Sequence, residues 1–141
     1  MKNLTLIIFA CILLFSCTES KTFTTENIIP TPKELTVNDN KLHPLKDVVV
    51  SKSSDNLIYP QNKDEYYLKS ENGNVIIEGN EVWARQTLAQ LTDMNNRIPD
   101  VEIHDWAAYP FRGFMHDTGR NFQTIDMLKE TIDLMSLYKI N

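Results

Sequence analysis

Beyond Cys17 the sequence contains no cysteine, and its two cysteines, Cys11 and Cys17, fall within or just after an apolar N-terminal stretch. A disulfide framework, a thiolate metal site and a cysteine nucleophile are therefore excluded from the folded part. Positive charge is also scarce. Fourteen Lys and Arg face nineteen Asp and Glu, for a net charge of −5, and the cations form no cluster. Nucleic-acid binding has no electrostatic support in such a pattern. The three histidines, His43, His104 and His116, share no ligand spacing such as i, i+4 on a helix, which argues against a metal site. There is no internal repeat and no low-complexity tract, and no redox cofactor or nucleotide is implied. The apolar fraction of 42% is ordinary for a globular protein. The length suits one small domain with material left over.

What is present begins with a targeting segment. Lys2 supplies a positive start, and residues 4–15 form an apolar run too short for a comfortable membrane span. It ends in Leu14-Phe15-Ser16-Cys17, which resembles a bacterial lipoprotein cleavage box. Residues 1–16 are expected to be the signal, with Cys17 lipidated and the protein held at the bacterial cell envelope, on its periplasmic or outer face, through a membrane anchor. The other reading is an ordinary secretory signal with an incidental cysteine. Removing Lys2 leaves thirteen basic and nineteen acidic side chains, a net of −6. Residues 17–27 are polar and rich in Thr and Ser, as in a tether from the lipid to the fold.

Residues 28–107 read as a small α+β domain, an antiparallel sheet with one covering helix. Pro30 and Pro32 favour an extended edge segment. Val48-Val49-Val50 is a β-branched strand. Tyr66-Tyr67-Leu68 and Val75-Ile76-Ile77 flank Asn72-Gly73, a hairpin signal. Trp83, Thr87, Leu88, Leu91 and Met94 have helical spacing across residues 81–94. Asn80 can cap that helix, and Asn95, Asn96 and Pro99 close it. Val101 and Ile103 then alternate with Glu102 and His104 in a short strand.

Residues 108–141 have a different character. Residues 111–115 are an apolar-rich run predicted as a strand, and Asp117-Thr118-Gly119-Arg120 is a polar turn. Ile125, Leu128, Ile132 and Met135 form one stripe of a helix running to about Leu137. One βα unit cannot bury both of its faces. Either a partner supplies the rest or the unit opens a longer chain. Left alone, this tail is expected to dock loosely on the first domain, self-associate or be clipped by protease near Tyr109, because its stripe is made to cover neighbouring strands. Its remaining acids, Asp126, Glu130 and Asp133, lie on the helix, so the tail offers no carboxylate pair for acid/base work.

The run RGFMHDTGRNF, from Arg112 to Phe122, followed by a helix and Tyr138-Lys139-Ile140-Asn141, resembles the first barrel unit of family 20 glycoside hydrolases, the β-N-acetylhexosaminidases. His116 departs mildly, since an apolar residue is usual there. The Gln86-Thr87-Leu88-Ala89-Gln90-Leu91 run resembles part of the non-catalytic domain that precedes their barrel. The stretch between Val50 and Tyr66 is too short for the extra helix that domain often carries.

The resemblance implies an α+β domain followed by the first unit of a truncated (β/α)8 barrel, with no cofactor. It implies exo-hydrolysis of terminal β-linked N-acetylhexosamine from a glycan by substrate-assisted retaining catalysis, an exception to the two-carboxylate scheme. The Asp-Glu pair for that chemistry would come from a later strand, beyond Asn141, so the chain itself would hold no catalytic residue. Arg120 matches the arginine that binds sugar hydroxyls, and a guanidinium fork suits a vicinal hydroxyl pair. Arg120 also follows a strand whose C-terminal end would face the barrel mouth. A structural Arg paired with Asp117 is the alternative. Asp117 either supports Arg120 or caps its loop. Arg112, at the opposite strand end, reads as structural, and Trp83 and Trp106 as core. The rival to an enzyme is a non-enzymatic envelope lipoprotein that keeps the α+β domain as a sugar- or protein-binding module.

Overall fold

A tight turn at Asn72-Gly73 organises the sheet. Both residues have positive φ, 52° and 84°, as a type I′ turn requires, and its twist matches that of the strands it joins. Glycine is needed at position 73 for a second reason, because a Cβ there would lie 2.0 Å from the Pro44 carbonyl oxygen. The computed structural model describes residues 28–141. The proposed signal, Cys17 and the tether lie outside the described residues.

The elements are β1 (Glu34–Pro44), β2 (Val48–Val50), β3 (Tyr66–Glu71), β4 (Asn74–Gly79), α1 (Glu81–Leu91), β5 (Arg97–Asp105) and α2 (Ile125–Leu137). The sheet order is β1-β5-β3-β4-β2. Three of the four pairings are antiparallel, and β2 runs parallel to β4. The sheet is therefore mixed. No helix separates Val50 from Tyr66; turns fill that interval.

Register puts Leu68, Ile77 and Ile103 side by side, on the face that α1 covers with Trp83, Ala84, Leu88 and Leu91. These side chains and Ile28, Tyr66, Val75, Ile98 and Val101 make one core. Each fully buried Leu or Ile contributes about 1.5–3 kcal/mol. Asn80 caps α1, its side chain accepting from Trp83 N at 3.1 Å. The helix stops at Leu91, before Met94. There the Thr92 hydroxyl donates to Leu88 O, and Asp93 gathers Asn95 N, Arg97 N and the Arg97 guanidinium. That knot turns the chain into β5 and leaves Met94 exposed.

Pro99, expected beyond the helix as a breaker, lies inside β5 opposite Leu42. It is tolerated because the β3–β5 ladder ends at Lys69↔Glu102. Past that point the Ser70 hydroxyl donates to Pro99 O at 2.6 Å and accepts from Val101 N at 3.0 Å. A side chain thus replaces the missing ladder bonds.

The expected strand at residues 111–115 is not formed among the described residues. A strand exists only against a partner, and none of the five strands pairs with this segment. Phe111, Phe114 and Met115 are exposed instead. Helix α2 does form, with Thr124 as its cap. No residue of it is fully buried; of its predicted stripe Leu128 and Met135 are half-buried, while Ile125 and Ile132 are exposed. At the end of the tail Lys139 is buried.

Candidate functional site

Arg120 sits at the end of the polar turn. Asp117 Oδ1 accepts from Gly119 N at 2.9 Å and Arg120 N at 3.1 Å. Its other oxygen, Oδ2, lies 3.0 Å from Arg120 Nε. Asp117 therefore makes both contacts: one oxygen closes the loop and the other lies against the guanidinium. The Arg120 side chain is 91% exposed. One edge of a rigid fork is fixed and the remainder faces outward, an arrangement suited to binding oxygen atoms of a ligand. His116 is half-buried beside the Phe114 ring, 6.1 Å between centroids.

A second cluster joins the tail to the sheet. It surrounds a cavity of about 190 Å³ lined by Trp83, Asp105, Trp106, Arg112, Tyr138 and Lys139 among others. Arg120 is not among its lining residues. Lys139 Nζ donates to Asp105 Oδ2 at 2.8 Å and to Tyr66 OH at 2.9 Å. Tyr66 OH lies 2.7 Å from Thr87 Oγ1 on α1. Burial pushes the Lys139 ammonium below the usual lysine value, and the Asp105 carboxylate opposes that shift. The Tyr66 hydroxyl is pushed well up, first by burial and then by the Asp105 charge.

Arg112 has the structural part expected of it, with partners that local sequence patterns do not reveal. Its Nη1 lies 3.1 Å from Asp64 Oδ2, its Nε donates to Lys139 O at 2.9 Å, and its guanidinium stacks 4.4 Å from the Trp83 ring centroid. Asn141 N donates to Arg112 O at 3.0 Å, and Arg112 N donates to Asn141 Oδ1 at 2.9 Å. The segments beginning at 112 and ending at 141 are thereby held side by side. Trp83 is core, as expected; Trp106 is half-buried against Tyr59, 5.3 Å between ring centroids.

The chain contains one adjacent Asp-Glu pair, Asp64-Glu65, and its geometry is structural. Glu65 is buried and accepts from Ile58 N at 2.6 Å and Tyr59 N at 2.7 Å. Asp64 holds Arg112. On the other face of the sheet, Tyr67 OH donates to Glu102 Oε1 at 3.1 Å beside the His104 ring. Burial, followed by that bond, pushes the Tyr67 hydroxyl up to about 12. Among the described residues no group of three or more His, Cys, Asp or Glu is placed to hold a metal ion.

Residues 109–141 match the model of the glycosyl hydrolase family 20 catalytic domain. The chain is 40% identical over 86 residues to beta-hexosaminidase B of Pseudoalteromonas piscicida, covering 57% of this chain and 11% of that protein. It is 39% identical over 90 residues to a chitooligosaccharidolytic beta-N-acetylglucosaminidase of Bombyx mori, covering 55% of this chain and 15% of that one. Among solved structures, the crystal structure of a beta-N-acetylhexosaminidase superposes with a TM-score of 0.63 at 26% identity, over 82% of this chain and 25% of that chain. The present chain thus spans a quarter or less of each of these proteins. The mixed sheet and two helices fit the fold of these structures, and the family resemblance read from residues 112–122 holds.

Proposed function

We propose that this relative of the family 20 glycosyl hydrolases is the N-terminal part of an exo-β-N-acetylhexosaminidase, acting on terminal β-linked N-acetylhexosamine of a glycan. The observation that carries this reading is the match of residues 109–141 to that family's catalytic domain. In this reading residues 28–107 are the non-catalytic α+β domain and residues 108–141 open a (β/α)8 barrel. The apolar surface of α2 and the unpaired segment 111–115 support it, since both have the character of parts that neighbouring barrel strands would cover.

Within that barrel Arg120 is a substrate-binding residue and Asp117 its support. The Asp117 carboxylate neutralises and orients one edge of the guanidinium, leaving the outer N–H groups for sugar hydroxyls. The acid and the acetamido-orienting carboxylate that the resemblance implies belong to a later strand. The reading frame following Asn141, expressed with this sequence, should release the aryl group from an aryl N-acetyl-β-hexosaminide. A longer product without such turnover would overturn the assignment.

The proposed lipid anchor at Cys17 rests on Leu14-Phe15-Ser16-Cys17 following an apolar run. Metabolic labelling with a fatty-acid analogue tests it. Label should enter the wild-type chain and be lost in Cys17→Ser; equal labelling of both would refute the anchor and leave the ordinary secretory signal.

A further inference from the structure

Lys139 combines two features that are each unfavourable alone. Its backbone is left-handed, φ 54°, at the position just past the cap of α2. There Lys139 N donates to Ser136 O at 2.9 Å and Ile140 N to Met135 O at 3.1 Å, the bond pattern of a Schellman helix end, which normally takes glycine. A side chain in this conformation is unfavourable relative to glycine, because its Cβ crowds the backbone. Its ammonium is also almost fully out of water, with the side chain 5% exposed, and burial of a charge is unfavourable unless it is paired. Strain of both kinds persists only where the surroundings over-determine it.

The surroundings do so here. The left-handed turn brings the side chain back under the end of α2 and into the sheet, onto Asp105 at the end of β5 and Tyr66 at the start of β3. Tyr66 passes the contact on to Thr87 of α1. The Lys139 carbonyl meanwhile accepts from Arg112 Nε, and Arg112 is itself fixed by Asp64 and Trp83. Gln86 of α1 adds a bond to Ser136 at 2.7 Å. Asp105, Tyr66, Asp64, Trp83 and Gln86 all belong to residues 28–107, and both cations belong to the tail.

We propose that the α+β sheet is a docking platform for the segment that follows it, with Lys139 as the key and Asp105–Tyr66 as its socket. The interlock fixes the start of the segment at Arg112 and its end at Asn141 in one register, through the bonds between those two residues. If the barrel reading above is right, the platform sets the spacing of the first two barrel strands at the end opposite Arg120.

The test distinguishes a docking key from a simple helix cap. In the full 141-residue chain, Lys139→Gly relieves the left-handed backbone while removing the key. A capping residue predicts a more stable protein and unchanged protection of the Asn141 amide. The interlock predicts a lower stability and at least about a tenfold loss of hydrogen-exchange protection at Asn141, since breaking a buried pair outweighs the relief. Asp105→Asn, which keeps size and shape, should lose protection at the same amide. Should Lys139→Gly fail to fold, Asp105→Asn alone decides. Unchanged protection at Asn141 in the folded variants overturns the proposal. The measurement uses no substrate, so failure of the hexosaminidase reading would leave it standing.

Discussion

Arg120 and Lys139 use the same chemistry to opposite ends. Each is a cation beside an Asp, yet Arg120 is 91% exposed and Lys139 5%. Solvent leaves the Arg120 pair weak as a stabilising contact, and in the proposed function its pairing with Asp117 serves orientation. In the proposed full-length hexosaminidase, Arg120→Ala should lower kcat/KM by a factor corresponding to roughly 2–4 kcal/mol, the scale for charged hydrogen bonds lost from a desolvated site. Steady-state kinetics on an aryl N-acetyl-β-hexosaminide checks this, and an unchanged kcat/KM in a folded variant would refute the assignment. The tyrosines make a second prediction. Tyr67 titrates near 12 when folded and near 10 when unfolded, and Tyr66 is raised further in the same direction. Both bind their proton more tightly in the native state. Stability is therefore retained below pH 10 and falls as pH rises toward 12, by up to about 1.4 kcal/mol per pH unit for each. Lys139 acts oppositely, because its lowered value means the unfolded chain binds the extra proton, and raising pH toward 10.5 favours the native state. Two tyrosines outweigh one lysine, so the alkaline limb should slope downward. Spectrophotometric titration of the wild type against Tyr66→Phe and Tyr67→Phe should find both hydroxyls ionising above the usual tyrosine value, and Tyr67→Phe should flatten the limb. Ionisation of Tyr66 and Tyr67 at the ordinary value in the native protein would contradict this.

At the level of elements, legibility followed locality. The β3–β4 hairpin was readable because Asn72-Gly73 dictates its own turn, and α1 because its stripe and Asn80 cap are contiguous. Asn80→Ala should cost about 1 kcal/mol, the usual scale for losing such a cap; it also removes the bond from Asn80 Nδ2 to Lys63 O at 3.0 Å. Urea unfolding should show the lower midpoint with an unchanged slope, and an unchanged midpoint would mean the cap contributes nothing. Most of β1 was not readable. Its middle, Asn38-Asp39-Asn40-Lys41, has no apolar alternation, and the strand follows β5 only through two register shifts. Such an edge strand is defined by its neighbour and by irregularities that discourage further pairing. The parallel β2–β4 pairing was hidden for a related reason, since Val48-Val49-Val50 signals a strand without saying which way it runs. Residues 111–115 carry a strand's composition with no ladder to join. The turn at 117–120 was readable because Asp117 acts within three residues of itself, whereas the Lys139–Tyr66 contact spans 73 positions and has no local signature.

For the molecule as a whole, the balance between polar docking and uncovered apolar surface decides behaviour. The tail is latched to the sheet by Arg112 and Lys139 through ion pairs withdrawn from solvent, and Asn141 joins Arg112 through exposed, uncharged hydrogen bonds. Beside and between the latches, Phe111, Phe114, Met115, Phe122, Ile125 and Ile132 remain exposed. Each forgoes up to about 1.5–3 kcal/mol of burial, and apolar surface of this kind drives association when it is contiguous. The latch and the exposed surface make separable predictions. The purified 141-residue chain should self-associate with rising concentration in sedimentation velocity, through α2 rather than through the sheet. Replacing Ile132 with Asp should suppress association while leaving Asn141 protected, because position 132 is not part of the latch. A chain that stays monomeric at all concentrations would mean that the exposed side chains find internal cover. The same preparation should not hydrolyse aryl N-acetyl-β-hexosaminides. Its one adjacent Asp-Glu pair is committed to Arg112 and to the backbone of the 58–59 turn, and Arg120 alone positions nothing for attack. Turnover that is abolished by Arg120→Ala would show instead that association of these chains assembles a working site.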